Sequence, residues 1–489
     1  MATCYWPLNW HFLAWIALVP FLLVLDRLQP GRSWLCGIVL GLVFYRIGLG
    51  WLFKLHGPLG GLAVLGLSVL TGFSFRVAKL LMARCGTAAM IWAVPLAFVG
   101  QEVLRSETLP RYRFAYLGYG YSQSHNLWLA QIASVGGVYL ISFILVASNA
   151  AIAYGLIRRR RRSWIPVAVI AIATAVLSVA CQPRDDDAHS QIPVACVQGE
   201  DLWSPEYVAL TKQAAGDPSR PRFIVLPEHT IKEMADEKSA TVSALSEVAR
   251  AHGAFVCVGA HTRAPSDAAC DYDNVGLLIG PDGRIVGEQA KAVPVPFFQD
   301  GNPATSQSTF DSPYGRVGIY ICYDATFTDI PRRLVGLGSE LMLAPLMDPE
   351  RWPVRQRWLH ADMAPLRSIE LRRCAVRAAS SGISQIIDAT GRVRAQRTRE
   401  EGPGVIFGTV YAVQDKTLFV RGGYLFACAI GVAFVGLVVI LTFADWMTKL
   451  RHPRRAHQPG QASSQEIVHP PTDGSPTPGP PTEADRGSR

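Results

Sequence analysis

Three residues in this 489-residue chain have the types and settings for covalent chemistry. Glu228 closes the run Phe223-Ile-Val-Leu-Pro-Glu228, and Lys291 closes Gly287-Glu-Gln-Ala-Lys291 ahead of a proline-pinned extended segment that runs to Phe297. Cys322 closes Gly318-Ile-Tyr-Ile-Cys322 and is followed by Tyr323 and Asp324. A carboxylate, an ammonium and a thiol are the parts of a cysteine acyl-transfer site. The acid takes the thiol proton, the thiolate attacks a carbonyl, and the lysine stabilises the oxyanion. Each has a plainer reading when taken singly, because a strand-end Glu or Lys is usually a solvated surface residue and a buried Cys is usually inert. Their combination, in this order and with these flanks, sets them apart.

Such residues need a scaffold that projects them together. From Ile192 onward the sequence alternates short apolar runs with polar amphipathic stretches. Ile192–Val197, Phe223–Leu226, Ala254–Val258, Val275–Ile279, Val317–Ile321, Leu341–Pro345 and Ile383–Ile387 are predicted as buried strands, with helices over Val242–His252 and His360–Arg377. Strands alternating with helices predict a layered α/β domain, whose reactive side chains sit at strand ends.

The remaining sequence points to a membrane. The chain is 49% hydrophobic and 17% charged, with mean hydropathy +0.20; soluble chains carry about 25% charged residues. Apolar runs are predicted as spans over Phe12–Leu25, Trp34–Phe53, Gly60–Phe75 (short and glycine-rich), Thr87–Leu104, Ile132–Ile157, Trp164–Ala180 and Gly423–Trp446. The first has no basic segment before it and no cleavage site after it, which argues against a signal peptide. Basic residues mark the cytoplasmic side: Arg27 and Arg32; Arg76, Lys79 and Arg84; the block Arg158 to Arg162; and Lys449, Arg451, Arg454 and Arg455. All four clusters fall on one side if the spans alternate, which places 183–423 outside the cytoplasm. The net charge of +9 is thereby assigned to loops flanking spans rather than to a nucleic-acid partner. The expected division is a multi-span membrane domain over 1–182, an extracytoplasmic catalytic domain over 183–423, a last helix over 424–447 and a disordered Pro/Gly/Ser/Thr-rich tail over 448–489. The ten cysteines show no metal-ligand spacing, and no zinc site is expected. Cys36, Cys85 and Cys428 lie in or beside spans. A disulfide among Cys196, Cys257, Cys270, Cys322 and Cys374 stays open.

The order Glu, Lys, Cys in P-E, K-x-x-x-x-P-F and I-C-Y-D contexts resembles the nitrilase (carbon-nitrogen hydrolase) superfamily. With the membrane part, the chain over about residues 5 to 447 resembles the bacterial apolipoprotein N-acyltransferases. The matching stretches are Trp6-Pro-Leu-Asn-Trp, Leu117-Gly-Tyr-Gly-Tyr-Ser-Gln123, Arg367-Ser-Ile-Glu-Leu-Arg-Arg373 and Ala378-Ala-Ser-Ser-Gly-Ile-Ser384. The resemblance implies an α-β-β-α sandwich beside a polytopic helical membrane domain, in a bacterial cytoplasmic membrane. It further implies a catalytic Glu228, Lys291 and Cys322, a phospholipid acyl donor, a diacylglyceryl-cysteine apolipoprotein acceptor, and no metal or diffusible cofactor. Supporting roles fall to Gln299, Asp300, Tyr323, Asp324 and Asp348; candidate substrate contacts are Trp203, Trp352 and Arg46, the last a charge within the second apolar run whose plainer reading is snorkelling or an inter-helix hydrogen bond.

Three departures stand out. Gln299 occupies the position of a family glutamate; it can hydrogen-bond the lysine but supplies no charge, and Asp300 replaces it only if the loop shifts by one residue. Asp324 shortens a family Glu. Met347-Asp-Pro-Glu-Arg-Trp352 moves an aromatic. The family also has one more span at its N-terminus, so this chain is expected to begin after that span. Two competing readings are a membrane-tethered amidase or nitrilase and a non-catalytic lipoprotein-binding relative.

Overall fold

Long apolar helices and alternating strands produce two kinds of layer in the computed structural model, which describes residues 1–108, 113–183, 190–236 and 239–451. The helices are α1 (Val19–Arg27), α2 (Pro30–Gly48), α3 (Trp51–His56), α4 (Pro58–Cys85), α5 (Met90–Glu107), the single turn α6 (Leu127–Ala130), α7 (Ala133–Arg158) and α8 (Ile165–Ala180). After the α/β region, α13 (Leu425–Arg451) returns to the apolar pattern. Among the described residues five helical segments are long and apolar enough to cross a membrane: Pro58–Cys85, Thr87–Glu107, Ala133–Arg158, Arg161–Ala180 and Phe419–Ala444. Residues 452–489, including Arg454 and Arg455 and most of the tail expected to be disordered, lie outside the described residues.

The first two expected spans take other forms. Phe12–Leu25 becomes a 3-10 segment, His11–Trp15, and the nine-residue α1. At 1.5 Å per residue α1 reaches only about 14 Å. It is held against α7, where Asn149 Oδ1 accepts from Leu18 N at 2.8 Å. Trp34–Phe53 divides at Leu49 into α2 and α3. The short, glycine-rich third run instead forms the 28-residue α4. Its small residues are the reason it packs well. A Cβ on Gly37 would lie 2.7 Å from Gly72 Cα, and one on Gly41 would lie 2.8 Å from Ser68 Cα. Small residues four apart on both helices thus let two backbones touch, the usual means of helix association in lipid.

The α/β region folds as two stacked sheets. The first has the order β13 (Gly404–Val410), β1 (Ile192–Gln198), β2 (Phe223–Val225), β4 (Phe255–Arg263), β5 (Tyr272–Ile279) and β6 (Ile285–Ala290), with β3 (Ile231–Met234) beside β4. The second has the order β12 (Val393–Arg397), β11 (Ser384–Ile387), β10 (Cys374–Ala379), β9 (Leu341–Leu346), β8 (Val317–Ile319) and β7 (Thr309–Phe310). Strands β1, β2 and β4 run parallel, as do β8, β9 and β10; the outer pairs are antiparallel. Alternation along β1 separates two cores. Val194 and Cys196 face the second sheet, while Ala195 and Val197 face α9 (Ser204–Ala215) and α10 (Ala240–His252). On the other side α11 (Asp329–Gly336) and α12 (Val354–Leu371) cover the second sheet, completing an α-β-β-α sandwich. The expected helix His360–Arg377 ends at Leu371: Arg372 turns left-handed with φ 52°. The chain then enters β10, a central strand whose backbone pairs with both neighbours.

A buried polar seam joins sandwich and bundle. Arg367 on α12 pairs with Glu370 and donates to Tyr121 Oη. Glu370 Oε1 accepts from Val138 N at 2.7 Å, where Gly136 and Gly137 break the α7 helix and free that N–H. Arg367 and Glu370 are at most 2% exposed. Removing one partner of such a pair costs about 3–5 kcal/mol, because the other charge is left buried alone. Arg367→Met is therefore expected to lower the thermal unfolding temperature markedly, and Arg367→Met/Glu370→Gln to recover part of the loss. Equal loss in the single and double variants would contradict the pairing.

Candidate functional site

Each of the three candidate residues leaves the carboxyl end of a strand. Glu228 follows β2 and is fixed to the other sheet by Glu228 N to Leu346 O, 3.2 Å. Space for this turn comes from Gly259 on β4, where a Cβ would fall 2.3 Å from Glu228 Cα. Lys291 directly follows β6. Cys322 follows β8 at the start of a 3-10 turn, with φ 46°, a left-handed conformation uncommon outside glycine. Such strain is often kept where a turn must present a reactive side chain.

Lys291 is the hub. Its Nζ lies 2.7 Å from Glu228 Oε1 and 2.7 Å from Asp300 Oδ2, and its side chain is 1% exposed. Burial opposes its charge, but Asp300 and Glu228 together hold the ammonium well above its usual range. Burial likewise opposes ionisation of Asp300; Lys291, His229 and Val295 N overcome it and hold the carboxyl below its usual range. Asn274 Nδ2 joins the two acids, donating to Glu228 Oε1 at 2.7 Å and to Asp300 Oδ1 at 2.9 Å. Gln299, in contrast, is exposed, and among the described residues its backbone oxygen alone is engaged, by Tyr272 Oη at 2.9 Å. The acid beside the lysine is thus Asp300, one residue further along.

Burial pushes the Cys322 thiol well up, and the Glu228 charge pushes it further, against Lys291. The resting thiol is neutral and donates to Met347 O at 3.5 Å. Asp324 is a positioning group: its carboxylate accepts from Val293 N at 2.8 Å, Ile321 N at 3.1 Å and Ala292 N at 3.2 Å, tying the lysine segment to the cysteine turn. Burial raises its pKa to about 7 in spite of Lys291 and those donors. Tyr323 Oη donates to Arg113 O at 2.7 Å, and its ring stacks on Tyr116. Asp348 accepts from Gln356 Nε2 at 3.0 Å and pairs with His360 Nδ1 at 2.9 Å, while His360 Nε2 reaches Cys322 O at 3.3 Å.

Two cavities meet at Cys322. One, of about 580 Å³, is apolar and runs from the sulfur along α3 and α4, walled by Leu55, Leu59, Ala63, Leu67, Phe298 and Trp352. The other, of about 260 Å³, holds the ionisable groups and is called the polar cavity for them: Glu228, His229, His261, Lys291 and Asp300 line it together with Met347, Phe298 and Trp352. Trp352 packs on Phe298 at the join. Trp203 is exposed and lines a neighbouring groove that also reaches Glu228 and His229. Arg46 does not reach either cavity: it is exposed at the last turn of α2, with its guanidinium over the Phe53 ring at 5.0 Å.

Two groups, Glu228–His229–Asp300 and Cys322–Asp348–His360, bring ligand-type atoms within 4.8 Å of one another. Those of the first already face Lys291 and Asn274, and those of the second face Gln356 and the Cys322 carbonyl. The sequence reading passed over Asn274, His229, His261 and His360. Asn274 precedes the apolar run that marks β5 and carries no motif; only its complete burial distinguishes it.

Over residues 194–414 the chain matches the family model of the carbon-nitrogen hydrolases, and over 1–151 that of the apolipoprotein N-acyltransferase N-terminal domain. The sandwich is therefore that of a carbon-nitrogen hydrolase, carried on a membrane-helix bundle. The apolipoprotein N-acyltransferase of Geobacter metallireducens is 27% identical over 474 residues, covering 86% of this chain and 90% of that protein. That of Pseudomonas aeruginosa is 26% identical over 471 residues, covering 85% and 88%. The solved structure of Saccharomyces cerevisiae Nit3, a member of branch 10 of the nitrilase superfamily, aligns at 18% identity with 47% of this chain and 93% of that one, at a TM-score of 0.39. Over most of its length the chain is thus similar to the apolipoprotein N-acyltransferases.

The geometry predicts the outcome of three substitutions. Glu228→Gln removes the charge that raises the thiol pKa, so Cys322 is expected to alkylate faster near neutral pH while turnover falls; peptide mapping after maleimide treatment reads the first. Asp300→Asn removes one of the two charges on Lys291 and should lower turnover by about 10²-fold or more, in the range of lost electrostatic stabilisation. Gln299→Glu, exposed, is expected to change turnover less than about threefold, since surface substitutions have small effects. The reverse ranking in a turnover assay would reassign the acid.

Proposed function

We propose that this chain transfers a fatty acyl chain from a membrane phospholipid, through a thioester on Cys322, to the N-terminal amine of a diacylglyceryl-cysteine lipoprotein. The observation that carries this reading is the apolar cavity from α3 and α4 to the Cys322 sulfur. Its volume lies within the range of small-molecule sites, and its walls suit an acyl chain entering from the lipid side.

Glu228 takes the thiol proton, and Cys322 attacks the ester carbonyl. The tetrahedral oxyanion is met by the Lys291 ammonium, which its two carboxylates keep charged in a site of low dielectric. Collapse expels the lysophospholipid oxygen, which receives the proton from Glu228, and leaves the thioester. The acceptor amine then attacks the same carbonyl and restores the thiol. Asp324 and Asp348 keep the lysine segment, the cysteine turn and His360 in register.

An extracytoplasmic position of the sandwich is supported by one helix. Val138, near the start of α7, binds Glu370 of the sandwich, and Arg158 begins the basic block at its end. The sandwich and the block thus sit at opposite ends of one candidate span, and basic residues favour the cytoplasm. Residues 1–182 and 424–447 then form the membrane part and 183–423 the catalytic part. A tethered amidase using the same three residues would leave the apolar cavity without a role.

Incubating the full-length protein with phospholipid in detergent or nanodiscs is expected to place a hydroxylamine-labile acyl group on Cys322, discharged by a diacylglyceryl-cysteinyl peptide and absent from Cys322→Ala. Gly66 lines the cavity with nothing within 4 Å of an added Cβ. Gly66→Leu should therefore shift donor preference towards shorter chains without preventing folding. Amide hydrolysis with no lipid-derived acyl group would overturn the proposal.

A further inference from the structure

The two half-reactions differ in their proton balance. Forming the thioester is neutral: the thiol proton passes through Glu228 to the leaving alcohol. The second half is not. An N-terminal amine has a pKa of about 7.7–8.0, so near pH 7 it arrives mostly as the ammonium. Ammonium plus thioester gives amide plus thiol plus one proton: the C–S bond breaks, the C–N bond forms, and nitrogen loses two protons. Glu228 can return one to the sulfur. The other must leave the site.

Two imidazoles stand beside Glu228 in the polar cavity. His229 Nδ1 lies 2.6 Å from His261 Nε2, so one proton is held between the rings. His261 also hydrogen-bonds the Lys232 backbone and stacks on Tyr272, with centroids 4.0 Å apart. Burial, and then His229, lower its pKa to about 4, so it stays neutral and accepts the proton on His229 Nδ1. That leaves His229 Nε2 as the basic nitrogen of the pair. It faces Asp300 Oδ1 at 3.5 Å, Glu228 Oε1 at 3.7 Å and Asn274 Nδ2 at 3.5 Å. Among the other charged groups around the pair, Lys291 sits behind the two carboxylates, and Lys232 is exposed and paired with Asp201. His229 has φ 54°, so its backbone is held in a sparsely populated conformation directly after the candidate base. Both rings border the cavity that Cys322 and Lys291 share.

We propose that the His229–His261 pair is a proton relay for the acceptor half-reaction, taking the surplus proton of the incoming ammonium from Glu228 and passing it to solvent through the polar cavity. This rests on the acyl-transfer reading and adds a role to residues outside the Glu, Lys and Cys set. Two carboxylates beside His229 Nε2 stabilise the imidazolium once it forms, and the outer ring keeps the inner one in the tautomer that can accept.

The test separates the two half-reactions in the full-length protein, using phospholipid as donor and a synthetic diacylglyceryl-cysteinyl peptide as acceptor. His229→Gln keeps a hydrogen-bonding side chain but cannot carry a proton. It is expected to slow discharge of the acyl-enzyme about tenfold more than it slows its formation near pH 7, less than the roughly 10²–10⁴-fold of a direct general acid or base because His229 acts through Glu228. The gap should close near pH 9.5, where the acceptor amine is already neutral. His261→Gln, which does not touch Glu228, should show the same pH-dependent gap in weaker form. A structural role would depress both steps alike at every pH. Equal loss in the two steps, or a gap that persists at high pH, overturns the relay alone. A wild-type protein that forms no thioester overturns the acyl-transfer reading and the relay with it.

Discussion

An ammonium buried to 1% exposure is costly unless opposite charge surrounds it. Lys291 meets that condition with Glu228 from one strand end and Asp300 from its own loop, and much else follows from the need to bring both acids to it. Gly259 lets the Glu228 turn lie against β4. Asn274 bridges the acids, so that neither can swing away without losing a donor. Asp324 anchors the start of the lysine loop to the cysteine turn through the backbone N–H groups of Ala292 and Val293, and closes its own turn through that of Ile321. The thiol, the carboxylate and the lysine are therefore one mechanical unit, with the charge of the lysine as its fastening.

The bundle enters this unit through its floor. Tyr116 stacks on Tyr323, Arg113 accepts from the Tyr323 hydroxyl, and Glu107 accepts from Thr328 beyond the cysteine turn. Together with the Arg367–Glu370 seam these contacts fix the sandwich on the helices, so that the face of α4 carrying Gly60, Ala63 and Leu67 forms a wall of the site. Both parts thus contribute to one cavity, while Glu228, Lys291 and Asp300 gather in the other, on the sandwich side.

Much of this was legible in the sequence where a local pattern reports directly on its surroundings. Apolar runs bounded by turn residues marked most of the central strands; Glu228 and Cys322 stood out because each ends such a run, and Lys291 because a proline-pinned segment follows it. The misses share a cause. Leucine-rich and glycine-rich runs look alike to hydropathy, yet α1 stops at nine residues while α4 lengthens to 28 because glycines let it pack on α2. The expected extension of α12 into β10 failed because Cys374–Ala379 has no period of its own; its neighbours β9 and β11 make it a strand. Asn274, His229 and His261 contribute by position in three dimensions, and no spacing in the chain announces it. Asp300 shows the same limit: nothing in the residues themselves fixed whether it or Gln299 turned inward.

The apolar cavity bears on how long a covalent intermediate can survive. A thioester is lost to hydrolysis only as fast as water reaches its carbonyl. An acyl chain filling the cavity removes water from one side of that carbon, and each methylene it withdraws from water adds about 0.8 kcal/mol of retention. The remaining approach is the polar cavity, which on the acyl-transfer reading the acceptor would occupy. Persistence then depends on which surfaces solvent can wet rather than on any inertness of the bond. A chain too short to reach the α4 end leaves a gap behind it, and leakage to water becomes a measure of fit.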